Sequence, residues 1–408
     1  MSTALATSVD EVVNQRAVET LYQPVVHLET GDVLGFEALA RGPRGTPFES
    51  PEALFEAART AGRLAELDWV CRASAYRTAL DGNLPDGVSL FVNAVPEALS
   101  TPCPPDLAPA ILAAQLRLRV VTELITRDPA ALLVAAPTCR SAGWGVAFDK
   151  VGAEPKALAL LPFVHPDVLK LDISLVQQPQ GVPVARVVNA AAAYAERTGA
   201  AILAVGVETT EHLATARSMG ATLGQGWLFG RPGPLPSGSH SRRPSGTVPF
   251  TGVTPADGSA RTPYEIVTAN RPTAVCSKRQ LAATTGYLET KALDTAEPPV
   301  VLASFQRHFT ATTARRYADL ARTAAFVAAF AAELPDAPIQ GVRGCAIAGD
   351  DPLRAEWNVV VAGPHFAGAL VARDLGDQGP DGARRFAYAL TYDRHLVIEA
   401  ARALLDRL

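Results

Sequence analysis

The sequence predicts an α/β protein in which a (βα) barrel, or a doubly wound sheet, precedes a second α/β domain. Three observations lead to this prediction. Before residue 230, short β-branched runs alternate with Ala- and Leu-rich amphipathic stretches, the pattern of a sheet with crossover helices. The first two runs are joined only by a turn at 29–32, which indicates a hairpin, so a barrel would carry one antiparallel strand. A Pro-, Gly- and Ser-rich stretch then divides the 408 residues.

The elements follow in chain order. The candidate strands of the first domain are 21–28, 33–39, 89–94, 118–122, 145–151, 168–171, 201–207 and a short run near 223. Its candidate helices are 51–80, 129–142, 181–198 and 211–219. The second domain is predicted as a helix (263–290), a strand (300–305), an amphipathic helix (313–334), strands at 339–348, 356–362, 367–373 and 385–392, and a terminal helix from Arg394. The domains are expected at 1–232 and 262–408, with a linker at 233–261.

Composition excludes several classes of function. The formal net charge is −4 and no basic run occurs, which argues against nucleic-acid binding. The five cysteines are scattered without a C-x-x-C pair, so neither a disulfide framework nor a zinc site is indicated. No signal peptide and no membrane-spanning run is recognisable, and we expect a cytoplasmic protein.

Polar residues stand where the predicted strands of the first domain end. They are Glu37, Asn93, Glu123, Asp149, Lys170, Asp172, Glu208 and Gln225. In a barrel these strand ends converge on one face and could line one cavity, although each residue alone could equally cap a strand or lie in a solvated loop. Carboxylates with an amide oxygen suit Mg²⁺ or Mn²⁺, and two such ions with a lysine suit phosphodiester hydrolysis.

Six motifs in order resemble those of EAL domains, the barrel phosphodiesterases that linearise cyclic di-GMP. They are YQPVV at 22–26, GFEAL at 35–39 with Arg41, Val92-Asn93, VLKLD at 168–172, AVGVE at 204–208, and GQGWLF at 224–229 with Arg231-Pro232. The resemblance implies a TIM-like (βα)8 barrel with one antiparallel strand. It also implies that a homodimer is possible.

The resemblance assigns roles residue by residue. Glu37, Asn93 and Asp149 would be ligands of Mg²⁺ or Mn²⁺ in an active enzyme, and Lys170 would stand near the attacking water. Glu208 and Gln225 would support the site, whereas Gln23 and Arg41 would contact the dinucleotide.

Three positions depart from the family pattern. Lys150 replaces the second of two consecutive Asp, and Val205 replaces the first Glu of the Ala-Glu-Gly-Val-Glu motif. Val120 stands where Glu-x-Thr-Glu would begin, and a register with Glu123 in the ligand position is the alternative.

Three lost carboxylates and one gained cation would change the charge of the site by about +4, which disfavours two metals. Lys150 either joins Glu37 and Asp149 or points to solvent. We therefore expect no bound cofactor and little or no phosphodiesterase activity. The barrel would bind cyclic di-GMP or a protein partner, and the alternative is an active metal-dependent phosphodiesterase that hydrolyses cyclic di-GMP to linear pGpG.

The second domain resembles the DICT family of sensory modules. The resemblance rests on ASFQ at 303–306, RRY at 315–317, Glu356-Trp357, and the run 386–394. It implies a sensory α/β (α+β) domain with a ligand that the sequence does not identify. Trp357, Phe386 and Tyr388 could line its pocket, although aromatic residues at strand spacing more often form core.

Overall fold

The computed structural model describes residues 8–82, 84–124, 129–153, 155–178, 181–236, 246–250, 261–295, 297–306, 309–377 and 380–408. The chain forms two compact units. The first comprises residues 1–153 and 164–254, and the second comprises 154–163 and 255–408. The middle of the expected linker, at 237–245 and 251–260, lies outside the described residues.

Eight strands close the first unit into a barrel in sequence order. They are β1 (Glu19–His27), β2 (Val33–Arg41), β3 (Ser89–Ala94), β4 (Arg119–Leu124), β5 (Gly145–Val151), β6 (Val168–Leu171), β7 (Ala201–Val205) and β8 (Leu223–Gln225). β1 pairs antiparallel with both β2 and β8, and all other neighbours pair parallel. The expected barrel with one antiparallel strand is confirmed.

Ten helices alternate with these strands or precede them in the described part of the first 232 residues. They are α1 (Val9–Asn14), α2 (Pro51–Thr60), α3 (Leu64–Asp81), α4 (Pro96–Leu99), α5 (Ala108–Arg117), α6 (Pro129–Ser141), α7 (Leu161–Val164), α8 (Ile173–Gln177), α9 (Val182–Thr198) and α10 (Thr210–Ser218). The helix expected over 51–80 is thus two helices, because Gly62 adopts a φ of +67° between them.

The barrel interior is filled by alternate strand residues. Phe91, Val121, Ala147 and Leu203 belong to one buried cluster, so side chains one position further along each strand face the surrounding helices. The inward rows of β3, β4 and β5 continue toward the carboxyl ends of the strands and reach the polar residues Asn93, Glu123 and Asp149, whereas the inward row of β7 reaches Val205. The core therefore fixes which strand-end residues face the barrel mouth.

Part of the expected linker packs into the opposite end of this core. Val248 is fully buried among the barrel residues, and its carbonyl accepts a hydrogen bond of 2.5 Å from Arg119. The same guanidinium stacks on the ring of Phe250 at 3.7 Å. A Cβ on Gly145 would lie only 2.6 Å from this ring, so the close approach requires glycine. Residues 246–250 therefore belong to the packing of the barrel.

The second unit is built on a seven-stranded mixed sheet. Its strands are β9 (Ala274–Ser277), β10 (Val300–Phe305), β11 (Phe326–Ala331), β12 (Arg343–Ala346), β13 (Glu356–Ala362), β14 (Ala367–Asp374) and β15 (Arg385–Thr391), in the order β12-β11-β10-β13-β14-β15-β9. Its helices are α11 (Pro263–Thr268), α12 (Lys278–Asp294), α13 (Ala311–Thr323) and α14 (Arg394–Leu405). The expected α/β class of this domain is confirmed.

Two helices expected from the sequence of this unit are wrong. The stretch 313–334 is a helix only to Thr323, and strand β11 follows it. All six residues of β11 are buried between two parallel neighbours, and such a strand has a continuous apolar pattern that periodicity cannot distinguish from a buried helix. The stretch 263–290 is interrupted by β9, where Ser277 then forms a capping box with Gln280 and begins α12.

Candidate functional site

Six predicted site residues meet at the carboxyl ends of the barrel strands. Glu37, Asn93, Glu123, Asp149, Lys170 and Gln225 come from six different strands. The strand register places these residues at similar heights in the barrel, since Asn93 on β3 lies opposite Glu123 on β4, and Gln225 on β8 lies opposite Val205 on β7. Glu37, Glu123, Lys170 and Gln225 are all buried. Convergence of residues nearly 190 positions apart is the result that a barrel predicts.

The Lys170 ammonium is the centre of this cluster. Its Nζ lies 2.6 Å from Glu123 Oε2, 3.2 Å from Glu37 Oε2 and 3.7 Å from Asp149 Oδ1. The lysine is only 3% exposed, so these three ion pairs are shielded from water. We define the four residues Glu37, Glu123, Asp149 and Lys170 as the Lys170 cluster.

Amide groups complete the surroundings of Glu37. Asn93 Nδ2 donates to Glu37 Oε1 at 3.1 Å, and Gln225 Nε2 donates to Glu37 Oε2 at 2.6 Å. With Lys170 on the second oxygen as well, both carboxylate oxygens of Glu37 are engaged. This carboxylate is therefore held as an anion in a fixed orientation.

The protonation of the cluster is set by burial and by its own charges. Burial, followed by the charge of Glu37, raises the pKa of Glu123 well above its ordinary value. Burial alone would also raise the pKa of Glu37, but Lys170 and the amide donors outweigh it and lower that pKa. Burial would lower the pKa of Lys170, yet the three carboxylates outweigh it and raise it. Glu123 thus takes a proton more readily than Glu37.

The orientation of β4 bears on the assignment made at Val120. On β4, Val121 lies in the barrel core and Glu123 contacts Lys170, so Val120 faces the opposite side of the strand. The alternative register, with Glu123 in the ligand position, agrees with this arrangement. We propose on this ground that Glu123, rather than Val120, corresponds to the carboxylate of the family pattern.

The other two substituted positions remain without an acid. Val205 follows Leu203 on the inner face of β7 and packs against the barrel core. Lys150 is exposed with a φ of +55°, and no carboxylate of the described chain pairs with it. Lys150 thus points to solvent. The positive charge beside Glu37 and Asp149 is provided by Lys170 instead. If Glu123 holds the ligand position, the formal charge of the site would differ from the family pattern by about +3 rather than +4.

Four further strand-end or binding candidates lie outside the Lys170 cluster. Gln23 is opposite Glu37 in the β1–β2 register, but its amide donates to the Gly230 carbonyl at 3.0 Å. Arg41 donates to the Ala40 carbonyl, and Glu208 is half-buried after β7. Asp172 caps α8 by accepting from the Ser174 amide, which is the structural role that a strand-end carboxylate often has.

A pair of divalent cations does not fit these residues as they are arranged. Among the described residues, no three His, Cys, Asp or Glu side chains form a group that could hold a metal. The space between the carboxylates is held by the Lys170 ammonium instead. Glu123 Oε1 is buried without a hydrogen-bond partner in the described structure, so this carboxylate oxygen can carry a proton, and the buried Gln225 Oε1 also lacks a donor.

An exposed aromatic group stands beside this site and was not predicted. Trp227 follows Gln225 by two residues and is 52% exposed. The guanidinium of Arg231 stacks on its indole ring at 4.0 Å. The sequence signal was present, since both residues lie in the motif at 224–232, but a motif does not show which side chains face solvent.

Two protein-family models match this chain, one over each of its two domains. The model described as "EAL domain" matches residues 6–232, more than half of the chain. The chain belongs to the EAL family. A second model, described as the sensory domain in diguanylate cyclases and two-component systems (DICT), matches residues 264–375. Both expected resemblances are confirmed.

Similar proteins share the EAL barrel with this chain. The cyclic di-GMP phosphodiesterase NbdA of Pseudomonas aeruginosa is 30% identical over 237 residues, which cover 53% of this chain and 29% of NbdA. PdeG of Escherichia coli, named a probable cyclic di-GMP phosphodiesterase, is 27% identical over 54% of this chain and 45% of its own length. The chain thus spans less than half the length of each of these relatives.

Solved structures also align with the EAL barrel. A manganese and cyclic di-GMP complex of Klebsiella pneumoniae BlrP1 is 29% identical, with a TM-score of 0.46 and coverage of 53% of this chain and 56% of BlrP1. The EAL domain of Xanthomonas citri FimX in complex with cyclic di-GMP is 20% identical, with a TM-score of 0.48 and coverage of 56% and 92%. Within the described residues, no helix has the length and apolar character needed to cross a membrane.

Proposed function

We propose that the EAL barrel of this chain is a cyclic di-GMP receptor with little or no phosphodiesterase activity, and that the DICT domain regulates it. Membership of the EAL family and the cyclic di-GMP phosphodiesterases among its relatives support the ligand. The arrangement around Lys170 supports the loss of activity. A protein partner at the barrel is compatible with the same role.

The observation that carries the proposal is the occupation of the space between the retained carboxylates by an ammonium. One lysine and one readily held proton on Glu123 compensate most of the charge of Glu37, Glu123 and Asp149. Divalent affinity in such sites depends on uncompensated carboxylates. Lys150 and Val205 supply none of the further acids that a second ion would need.

Hydrolysis of a phosphodiester near neutral pH needs an activated water. Paired Mg²⁺ or Mn²⁺ would activate it by lowering the pKa of that water and would stabilise the in-line displacement. In this chain, Glu37 is oriented by Asn93 and Gln225 and is held as an anion by Lys170. These residues can accept hydrogen bonds from a bound dinucleotide without hydrolysing its phosphodiester bonds.

Binding of the dinucleotide would use groups at the rim of the same face. The exposed Trp227 ring, with Arg231 behind it, offers a flat surface on which a guanine base can stack. Gln23, in the middle of β1, and Arg41, the last residue of β2, carry donors suited to phosphate or base oxygens. These contacts require no metal.

Equilibrium titration of the full chain with cyclic di-GMP, with Mn²⁺ and with EDTA, tests this proposal. We expect binding that EDTA leaves unchanged, because the contacts are made by side chains. Arg41→Ala should weaken it, whereas the exposed Arg44→Ala is a matched control on the same segment. Absence of binding under both conditions would contradict the receptor role and leave only a protein partner.

A second candidate, an active metal-dependent phosphodiesterase, is favoured by one observation. Glu123 lies in the site beside Glu37, Asn93, Asp149 and Lys170, so more of the family's acidic set is present than the sequence register of Val120 implied. Under this alternative, Mn²⁺ would displace Lys170 from the carboxylates and strengthen cyclic di-GMP binding. Loss of binding on EDTA treatment would support this second candidate.

A further inference from the structure

A cavity of about 1020 Å³ lies in the DICT domain, within the second compact unit. Such a volume reaches the upper end of the range for small-molecule sites. Its lining comes from the end of β10, the first turn of α13, the start of β13 and the segments that flank β15. We infer that this cavity binds a small planar aromatic ligand carrying a single negative charge, and that it is the input site of the domain.

An aromatic pair provides the surface for a ring. Phe305 and Trp357 both line the cavity and stand directly opposite each other on β10 and β13. Trp357 is braced edge-on by the buried Phe386, and Phe305 is braced by Tyr317. The indole N–H of Trp357 is buried and has no acceptor among the described residues, so the ring, rather than its N–H group, is the part of this side chain that the cavity offers to a ligand.

The acidic groups of the lining are already neutralised. Lys278 Nζ lies 2.5 Å from Asp381 Oδ2, and Arg384 pairs with Asp374. Asp377 is paired with Arg385, whose Nε lies 3.0 Å from its Oδ2. A cationic ligand would have to break one of these ion pairs, which disfavours it.

Arg354 is the cation of the lining that has no acid partner. Its Nε donates to the Ala348 carbonyl at 2.8 Å, and its NH2 group donates to the Ile347 carbonyl at 3.0 Å. No carboxylate of the described chain forms an ion pair with it. The guanidinium is thus oriented by neutral groups while its charge remains available to a carboxylate on a ligand.

The rest of the lining argues against a lipid or another wholly apolar ligand. Only Phe305, Ala332, Ala355 and Trp357 are apolar, whereas the polar residues Thr310 and Thr313 also line the cavity. Gln306, between the aromatic pair and the ion pairs, has a φ of +49°, which costs a non-glycine residue about 1–2 kcal/mol. Strain held beside a cavity is typical of a binding site.

Binding of 2-naphthoate to the full chain tests the inference. The comparison ligands are 2-naphthalenemethanol, which keeps the ring without the charge, and acetate, which keeps the charge without the ring. Isothermal titration should show tighter binding of 2-naphthoate than of either analogue, by about twofold to fivefold over the alcohol. Arg354 is an exposed residue, so Arg354→Gln should weaken 2-naphthoate about twofold to fivefold, the range for an ion pair of an exposed side chain, and leave the alcohol unchanged.

Two variants act as controls. Arg343→Gln removes an exposed arginine from β12, outside the cavity, and should bind 2-naphthoate as the unaltered chain does. Trp357→Phe keeps the ring stack and should weaken binding less than Arg354→Gln. Equal binding of the acid and the alcohol, no effect of Arg354→Gln, or no binding of 2-naphthoate at millimolar concentration would each overturn the inference. The result is independent of cyclic di-GMP binding at the barrel.

Discussion

Replacement of Lys170 by methionine, which keeps the length of the side chain and removes its charge, probes the Lys170 cluster directly. The ammonium lies within 4 Å of three carboxylates, at 2.6, 3.2 and 3.7 Å, and is 3% exposed. Removing one partner of a buried ion pair costs about 3–5 kcal/mol. Because Glu123 takes up a proton readily, part of the repulsion is relieved, and we expect a loss of about 3 kcal/mol.

Urea unfolding at pH 7.5, followed by circular dichroism and tryptophan fluorescence, measures this loss in the transition of the barrel. Lys150→Met is the matched control, because it removes an exposed lysine at the end of β5, and it should change stability by less than about 0.5 kcal/mol. The Lys170 variant should also be stabilised by Mn²⁺ more than the unaltered chain, since the cation can then approach the carboxylates. A loss no larger than that of the control would refute the account of the cluster.

Three further predictions follow from named contacts. Because the pKa of Glu123 is raised in the folded chain, its protonated form stabilises the fold at low pH, and this stabilisation is lost as the pH rises through the folded pKa. The unaltered chain should therefore gain thermal stability relative to Glu123→Gln when the pH is lowered from 8 to 5. Melting temperatures of the two proteins that change in parallel with pH would count against this. Trp227→Ala should weaken cyclic di-GMP binding about tenfold in calorimetry without changing the melting temperature, and unaltered affinity would exclude stacking on this ring. Val248→Ala should cost the barrel about 2 kcal/mol in urea unfolding, and no change would show that residues 246–250 do not pack there.

The barrel could be predicted because its sequence signals are local and repeated. Strands β3, β5 and β6 begin and end at the expected residues, and the hairpin of β1 and β2 follows from its turn. The second domain was predicted less well. The buried strand β11 has no polar alternation to distinguish it from the helix that precedes it.

The site shows where sequence reasoning ends. The predicted residues Glu37, Asn93, Asp149, Lys170 and Gln225 do converge, because barrel topology brings strand ends together. The choice between Val120 and Glu123 depends on which face of β4 points inward, and a one-residue shift reverses it.

Long-range contacts supplied the remaining information. The solvent orientation of Lys150, the burial of Val248 and the pairing of Phe305 with Trp357 each depend on chain segments far apart in sequence. No local pattern reports them. The proposal for the DICT cavity therefore rests on the fold and could not have been made from the sequence.

The most direct test of the account is turnover of cyclic di-GMP in excess Mn²⁺, followed by chromatography of the linear product pGpG. The account predicts that the chain forms no more pGpG than its Glu37→Ala variant, because Lys170 occupies the space between the carboxylates and neither Lys150 nor Val205 supplies an acid. Turnover by the unaltered chain that disappears in Glu37→Ala would contradict the account and establish an active phosphodiesterase.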